Sequence, residues 1–272
     1  MSSISVTLIQ TRLFWEDKQA NLQQLEEKIG QLQQPTHIIV LPEMFNTGFS
    51  MRPELLAEDM NGPTIDWMKR IAAQKRVILT GSIMAREAVT GDESETTAGF
   101  RFYNRLIWML PNGEYGSYDK RHLFAYAGED KHYAPGNRRL VASVNGWRFN
   151  LQVCYDLRFP VWARQQTAAE PEYDVLIYVA NWPERRKHAW RTLLQARAIE
   201  NQCYVVAVNR VGADGNDIYH SGNSMVVDPM GDILYEREHG EETHTVVLSK
   251  EHLQETRSRL PFLRDADSFQ IR

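Results

Sequence analysis

Three residues able to do covalent chemistry share one position relative to their surroundings. Cys154 in "NLQVCYDLRFP", Lys120 in "YGSYDKRHLF" and Glu43 in "IIVLPEMFNTGF" each stand just past the end of an apolar or alternating run. In open α/β sheets, groups beyond the carboxyl ends of strands converge on the ligand crevice, so separation along the chain does not keep them apart. A cysteine, a lysine and a glutamate at one crevice form a reaction centre in which a thiolate is the competent nucleophile. Taken singly, each has a blander reading. Glu43 could be a solvated loop carboxylate, Lys120 a surface charge and Cys154 a small core hydrophobe. Cys203 illustrates the last case: it opens the run "CYVVAV" with no polar turn behind it, and reads as core.

The elements that must position these residues follow from periodicity. "ISVTLIQ" places Ile4, Val6 and Leu8 on one face of a strand, and Leu22, Leu25, Ile29 and Leu32 mark one stripe of a helix over 17–34. "HIIVLPE" supplies a short apolar strand stopping at Pro42, which completes a β-α-β pattern. A helix over 63–74 and the strand "VILTGSI" repeat it. "FYNRLIWML" and "EYGSYDK" flank Pro111-Asn112-Gly113 as a hairpin. Further strands are expected at "WRFNLQVC", "YDVLIYVA", "CYVVAVN", "SMVVD", "ILYERE" and "THTVVLS", with a helix over 187–202. About eleven strands and four or five helices result, and no linker divides them. The expectation is one α/β domain, residues 1–272, with mixed sheets. "TGDESETTAG" is too polar to order itself against a core and reads as a mobile surface loop with room for a lid role.

Composition narrows the partners. Of 272 residues, 43% are hydrophobic and 24% charged, the balance of a globular protein. A net charge of −4 gives no electrostatic reason to expect nucleic acid, and no apolar run approaches the roughly 20 residues that span a bilayer. A small-molecule substrate and a cytoplasmic location are the expectation. In that compartment Cys154 and Cys203 stay reduced rather than paired.

Together, "LPEMFNTGF", "YDKRHLF", "VCYDLRFP", "ANWP" and "RAIENQCYVVAVNRVG" resemble the nitrilase, or carbon-nitrogen hydrolase, superfamily over essentially the whole chain. The form "CYDLRFP" and the tail "RLPFLRDADSF" are similar to its omega-amidase branch. The resemblance implies a four-layer α-β-β-α sandwich of two mixed β-sheets flanked by helices, dimerised as a homodimer. It implies a Glu-Lys-Cys triad: Glu43 as general base and acid, Lys120 as electrostatic stabiliser, Cys154 as nucleophile. A second family glutamate that helps position substrate and lysine matches Glu129 in "AYAGEDKHYAPG", through a looser loop motif.

Amide hydrolysis gives each of these a task. A free thiol with a pKa near 8.5 holds little thiolate at neutral pH, so a carboxylate must take its proton and later return it to the departing nitrogen. The oxyanion needs fixed donors, which Lys120 and the backbone N–H of Tyr155 are placed to supply. An omega-amidase would act on the terminal amide of a short 2-oxo dicarboxylic acid monoamide such as 2-oxoglutaramate or 2-oxosuccinamate. Arg158, four residues past the nucleophile, is the candidate for the substrate carboxylate, with a salt bridge to Asp156 or another structural partner as the alternative. Tyr155, Asn181 and Trp182 are candidate pocket residues, since "ANWP" also ends a strand.

Two other readings compete. In a Cys-His hydrolase, His122 or His132 would activate Cys154; in a catalytically idle member of the fold, the same pocket would only bind small amides or partner proteins. "CYDLR" is too short for a cysteine-phosphatase loop. His252 and Glu255 share a helix face, but two ligands do not make a metal site. No Walker-type or dinucleotide glycine motif occurs, so neither cofactor nor metal is expected.

Overall fold

The computed structural model describes residues 2–89, 99–166 and 170–271. "TGDESETTAG", expected as a mobile loop, lies outside the described residues apart from Gly99.

The first half of the chain builds one sheet and its covering helices: β1 (Ser3–Gln10), α1 (Lys18–Gly30), β2 (Ile38–Val40), α2 (Pro53–Leu56), α3 (Pro63–Lys75), β3 (Ile78–Ala88), β4 (Phe100–Met109) and β5 (Tyr115–Asp119). Strands β1, β2 and β3 run parallel, joined by α1 and by the 41–77 segment with α3, and β4 and β5 add antiparallel strands. The second half builds the other sheet from β6 (Val141–Val144), β7 (Trp147–Val153), α4 (Pro160–Ala163), β8 (Val175–Ala180), α5 (Lys187–Asn201), β9 (Tyr204–Asn209), β10 (Val211–Ala213), β11 (Tyr219–Val227) and β12 (Ile233–Glu238). Here β7, β8 and β9 are the parallel centre. The chain then returns: β13 (Glu242–Ser249) pairs antiparallel with β1 in the first sheet, and α6 (Lys250–Arg259) closes the fold.

Side-chain alternation turns these sheets into four layers. Val175, Ile177 and Val179 of β8 point into one apolar cluster with Val6, Leu8, Val40 and Trp108 of the first sheet. Leu176, Tyr178 and Ala180, between them in sequence, point the other way onto Trp190, Leu194 and Ala198 of α5. A strand buried on both faces reads as a continuous apolar run, which is why "VLIYVA" shows no polar face. The first sheet is covered likewise, with Ile39, Leu79 and Ile107 against Leu25 and Ile29 of α1 and Ile65, Met68 and Ile71 of α3. Trp108 and Phe149 meet between the sheets with ring centroids 5.3 Å apart. The arrangement is the expected α-β-β-α sandwich of two mixed sheets.

Thirteen strands are present among the described residues, against about eleven expected. The two extra are β6 and β10. Asn145-Gly146 between β6 and β7 is a strong two-residue hairpin signal, with both residues at positive φ (51° and 80°). It marks β6, whose half-buried residues carry no clear alternation. β10 is only three residues long and is separated from β9 by Arg210 alone.

Candidate active site

Parallel strands β2, β7 and β8 place their carboxyl ends on one edge of the sandwich, and the chemistry-bearing residues follow from where each strand stops. After β2, Leu41 still donates to Thr80 O (2.7 Å), but Pro42 cannot donate and Met44 takes a left-handed φ of 45°. The chain folds inward there, and Glu43 is fully buried. After β5, the N–H of Lys120 goes to Asn104 O (3.0 Å) and its carbonyl accepts from Gly136 N (2.9 Å). A Cβ at Gly136 would lie 2.1 Å from Asp119 O, so only glycine lets that loop close over the lysine. After β7, Cys154 opens a 3₁₀ turn, Cys154–Arg158, with φ of 42°. For a side-chain-bearing residue that conformation costs about 1–3 kcal/mol and persists only where the surroundings fix it.

These turns bring the expected groups together. The Lys120 ammonium lies 2.9 Å from Glu43 Oε1 and 3.0 and 2.9 Å from the two oxygens of Glu129. Asn104 Nδ2 donates to both carboxylates, at 2.8 Å to Glu43 and 3.1 Å to Glu129. The second oxygen of Glu43 accepts from the backbone N–H of Asn181 (2.8 Å), that of Glu129 from Phe124 N (2.6 Å). The Cys154 thiol lies beside Glu43 and Lys120. Burial alone would depress the lysine, but Glu129 and Glu43 outweigh it and hold the ammonium above its usual range. Burial, with the nearby Glu43 charge, pushes Glu129 up against the pull of Lys120. Burial and then the Glu43 charge push the Cys154 thiol well above its ordinary value, Lys120 opposing. At rest Cys154 is therefore a thiol, with the Glu43 carboxylate beside it.

Cys154 and Lys120 line a cavity of about 520 Å³. Its wall includes Phe49, Phe124, Tyr155, Asn181, Trp182, Arg158, Arg185 and Arg186, with the acidic Glu16 and Asp214 also on it. A model of the carbon-nitrogen hydrolase family matches residues 5–258. The chain belongs to that family. The hydrolase is 43% identical to the omega-amidase YafV of Yersinia enterocolitica over 272 residues, 99% of each chain. It is 30% identical to the 2-oxoglutaramate amidase of Bacillus subtilis over 241 residues, 87% of this chain and 88% of that one. Among solved structures, XC1258 of Xanthomonas campestris, a CN-hydrolase superfamily protein with an arsenic adduct in its active site, superposes with a TM-score of 0.92. It is 39% identical, and the match covers all of both chains.

The remaining candidates divide between wall and scaffold of the hydrolase's cavity. Tyr155 is on the wall, its ring edge-on to Phe124 at 4.9 Å. As the second residue of the 3₁₀ turn, its N–H has no partner within the turn. Arg158 does not pair with Asp156, the alternative raised for it; its guanidinium lies over the Trp182 ring at 4.9 Å. Asp156 instead accepts from Tyr118, His122 and Val153. Asn181 lines the cavity; its Nδ2 donates to Glu43 O at 2.6 Å, while its Oδ1 has no partner among the described residues. Trp182 is held by Asn209 and Arg186 O.

Neither histidine of the competing scheme lines the cavity. His122 gives Nδ1 to Asp156 at 2.8 Å and stacks on Phe159, and His132 faces Glu54 at 3.7 Å. His252 is bonded to Asp228 at 3.0 Å, and no metal-like cluster occurs among the described residues. Cys203 is fully buried, as expected.

Sequence reasoning missed three residues here. Asn104, in "FYNRLIWML", had no signal beyond a polar residue inside an apolar strand, yet it bridges both glutamates. Arg185 and Arg186 follow "ANWP", and their adjacency just past a strand end was a usable signal. Among the described residues none of the guanidiniums of Arg158, Arg185 and Arg186 has a salt bridge to a carboxylate. Burial, then the Arg185 charge, hold Arg186 below its usual range.

Proposed function

We propose that this hydrolase is an omega-amidase that releases ammonia from the terminal amide of short 2-oxo dicarboxylic acid monoamides, such as 2-oxoglutaramate or 2-oxosuccinamate. The observation that carries the reading is the Cys154 thiol beside buried Glu43 and Lys120, on a cavity whose wall includes Arg158, Arg185 and Arg186, none of them in a salt bridge among the described residues. A substrate with a reactive amide at one end and a carboxylate at the other fits both features. The names of the Yersinia and Bacillus relatives point the same way.

In the proposed reaction, Glu43 takes the thiol proton as the sulfur of Cys154 attacks the amide carbon. The oxygen of the tetrahedral intermediate is stabilised by the Lys120 ammonium and the Tyr155 N–H. The C–N bond then breaks, Glu43 returns the proton to nitrogen, and ammonia leaves a thioester. Glu43 next deprotonates water, which attacks the thioester carbonyl, and the C–S bond breaks to give the acid and the thiol. Overall, amide and water become carboxylic acid and ammonia. Glu129 touches the lysine and not the sulfur among its hydrogen bonds, so its part is to hold Lys120 charged and in place.

An ammonia assay over 2-oxoglutaramate, glutamine, a nitrile and an N-carbamoyl amino acid tests the reading. Turnover highest on 2-oxoglutaramate is the expected result; turnover of the nitrile or carbamoyl compound alone would overturn it.

We also propose a cytoplasmic homodimer. Both cysteines are unpaired, as in a reducing compartment, and Val161, Ile199, Met230 and Phe262 leave apolar side chains exposed near α4, α5 and the C-terminal tail. No helix among the described residues is long and apolar enough to cross a membrane. Light scattering on the purified protein at twice the monomer mass is the expected result, and monomer mass at micromolar concentration would contradict it.

A further inference from the structure

Asp156 is fully buried, does not line the cavity and takes no part in the reaction above. Its two oxygens nevertheless accept four hydrogen bonds. Oδ2 accepts from the Tyr118 hydroxyl (2.8 Å) and from Val153 N (3.0 Å). Oδ1 accepts from His122 N (3.0 Å) and from His122 Nδ1 (2.8 Å), which carries the proton because a carboxylate has none to offer. Tyr118 is itself fixed by Trp162 Nε1 (2.8 Å) and Arg121 N (3.2 Å).

The placement of the donors is informative. Tyr118 and His122 stand two residues either side of Lys120, and Val153 and Asp156 stand one before and two after Cys154. One buried carboxylate therefore ties the segment carrying the lysine, in the first sheet, to the turn carrying the cysteine, in the second. It also spans the residue whose left-handed φ of 42° needs outside support.

We propose that Asp156 is a positioning residue that sets the register between Lys120 and the Cys154 sulfur. This rests on Cys154 and Lys120 acting as proposed above. The backbone N–H of Val153 and the two donors of His122 fix the strand end and the lysine turn against each other. Losing that tie displaces the ammonium from the developing oxyanion, whereas the arginine-lined wall is untouched. The signature is thus a fall in kcat without a matching rise in KM. An asparagine at 156 keeps the shape but turns an NH₂ group toward two of the four donors, so it breaks the tie on one side.

The test compares Asp156→Asn, Tyr118→Phe and Cys154→Ala with the wild-type enzyme on 2-oxoglutaramate, with near-ultraviolet circular dichroism to establish the native fold. D156N is expected to lose about 100-fold in kcat, the scale of a misplacement near 1 Å, with KM within about threefold. The Cys154 thiolate, followed by its ultraviolet absorbance, should titrate at higher pH in D156N, because the ammonium that favours it has moved. Y118F, which removes one donor of four, is expected to lose about tenfold in kcat at unchanged KM. A folded D156N enzyme with wild-type kcat, or with a defect confined to KM, overturns the proposal. If D156N does not fold, Y118F decides: wild-type kcat in that variant overturns it as well. C154A separates the two levels. Turnover by C154A would sink the nucleophile assignment itself, while an inactive C154A beside a fully active D156N would sink the positioning role alone.

Discussion

The two cysteines occupy opposite ends of strands in the same sheet, and the contrast between them explains what makes one a reagent. Cys154 follows the carboxyl end of β7 and faces a cavity; Cys203 precedes the amino end of β9, packed between the sheet and α5. Burial pushes both thiols above their ordinary range, so burial does not separate them. What differs is the company. Cys154 has the Glu43 carboxylate beside its thiol and an ammonium 2.9 Å from that carboxylate, whereas the thiol of Cys203 donates to Arg197 O at 3.9 Å, with the charges of Arg257 and Asp174 acting on it. A buried thiol is inert unless a base is delivered to it; Glu43 stands beside Cys154, whereas Asp174, the buried carboxylate acting on Cys203, is held by Lys250 and Arg257.

The strongest way to break that contrast is to remove each sulfur in turn. C154A should cost at least about 10⁴-fold in kcat, as for other covalent nucleophiles. C203A should leave kcat unchanged and lower stability by about 1 kcal/mol, measured by urea denaturation. A large kinetic defect in C203A would erase the distinction. Next in size, E43Q should lower kcat by about 10²- to 10⁴-fold, the usual contribution of a positioned acid-base group. It should also shift the Cys154 thiolate titration to lower pH, because a buried negative charge beside the sulfur has gone. An upward shift would mean that Glu43 is not the negative charge acting on the thiol.

The arginine wall sharpens the comparison from the substrate's side, since Cys203 is not on it. R158A should raise KM for 2-oxoglutaramate by about tenfold, the worth of one charge-assisted hydrogen bond, and leave KM for a neutral short amide unchanged. Equal effects on both substrates would remove Arg158 from carboxylate recognition.

The last contrast is in stability rather than turnover: a third buried titratable group, His220, has no carboxylate hydrogen-bonded to it among the described residues. Burial, reinforced by the Arg210 charge, pulls its pKa down from 6.5 to about 4. The unfolded chain then binds a proton that the folded one refuses. Stability is intact above pH 6.5 and falls, by up to about 3 kcal/mol, as pH drops from 6.5 toward 4. H220Q should flatten that part of the stability profile; an unchanged acid slope in thermal melts would exclude His220 as its source.

Why some of this was legible in the sequence and some was not follows from how local each signal is. Glu43, Lys120 and Cys154 each end a run whose periodicity is local, so their placement past strand ends could be read from ten residues at a time. β8 was legible for the same reason, since burial on both faces leaves an unbroken apolar run. Asn104 was not, because its meaning lies in two glutamates 61 and 25 residues away. The pairing of β13 with β1 was equally hidden, as register between residues as far apart as Ser3 and Ser249 leaves no local pattern. Arg158 could be read as lining a pocket or as paired with Asp156. Only the tertiary partners of Asp156, drawn from residues 118, 122 and 153, decide between them.

Rapid acid quenching of the enzyme during turnover of 2-oxoglutaramate, followed by peptide mass spectrometry, tests the nucleophile assignment most directly. The account predicts an added acyl group, lacking the amide nitrogen, on the peptide that carries Cys154 and none on the peptide that carries Cys203. Steady turnover with Cys154 unmodified at every quench time, or an acyl group on any other residue, would contradict it.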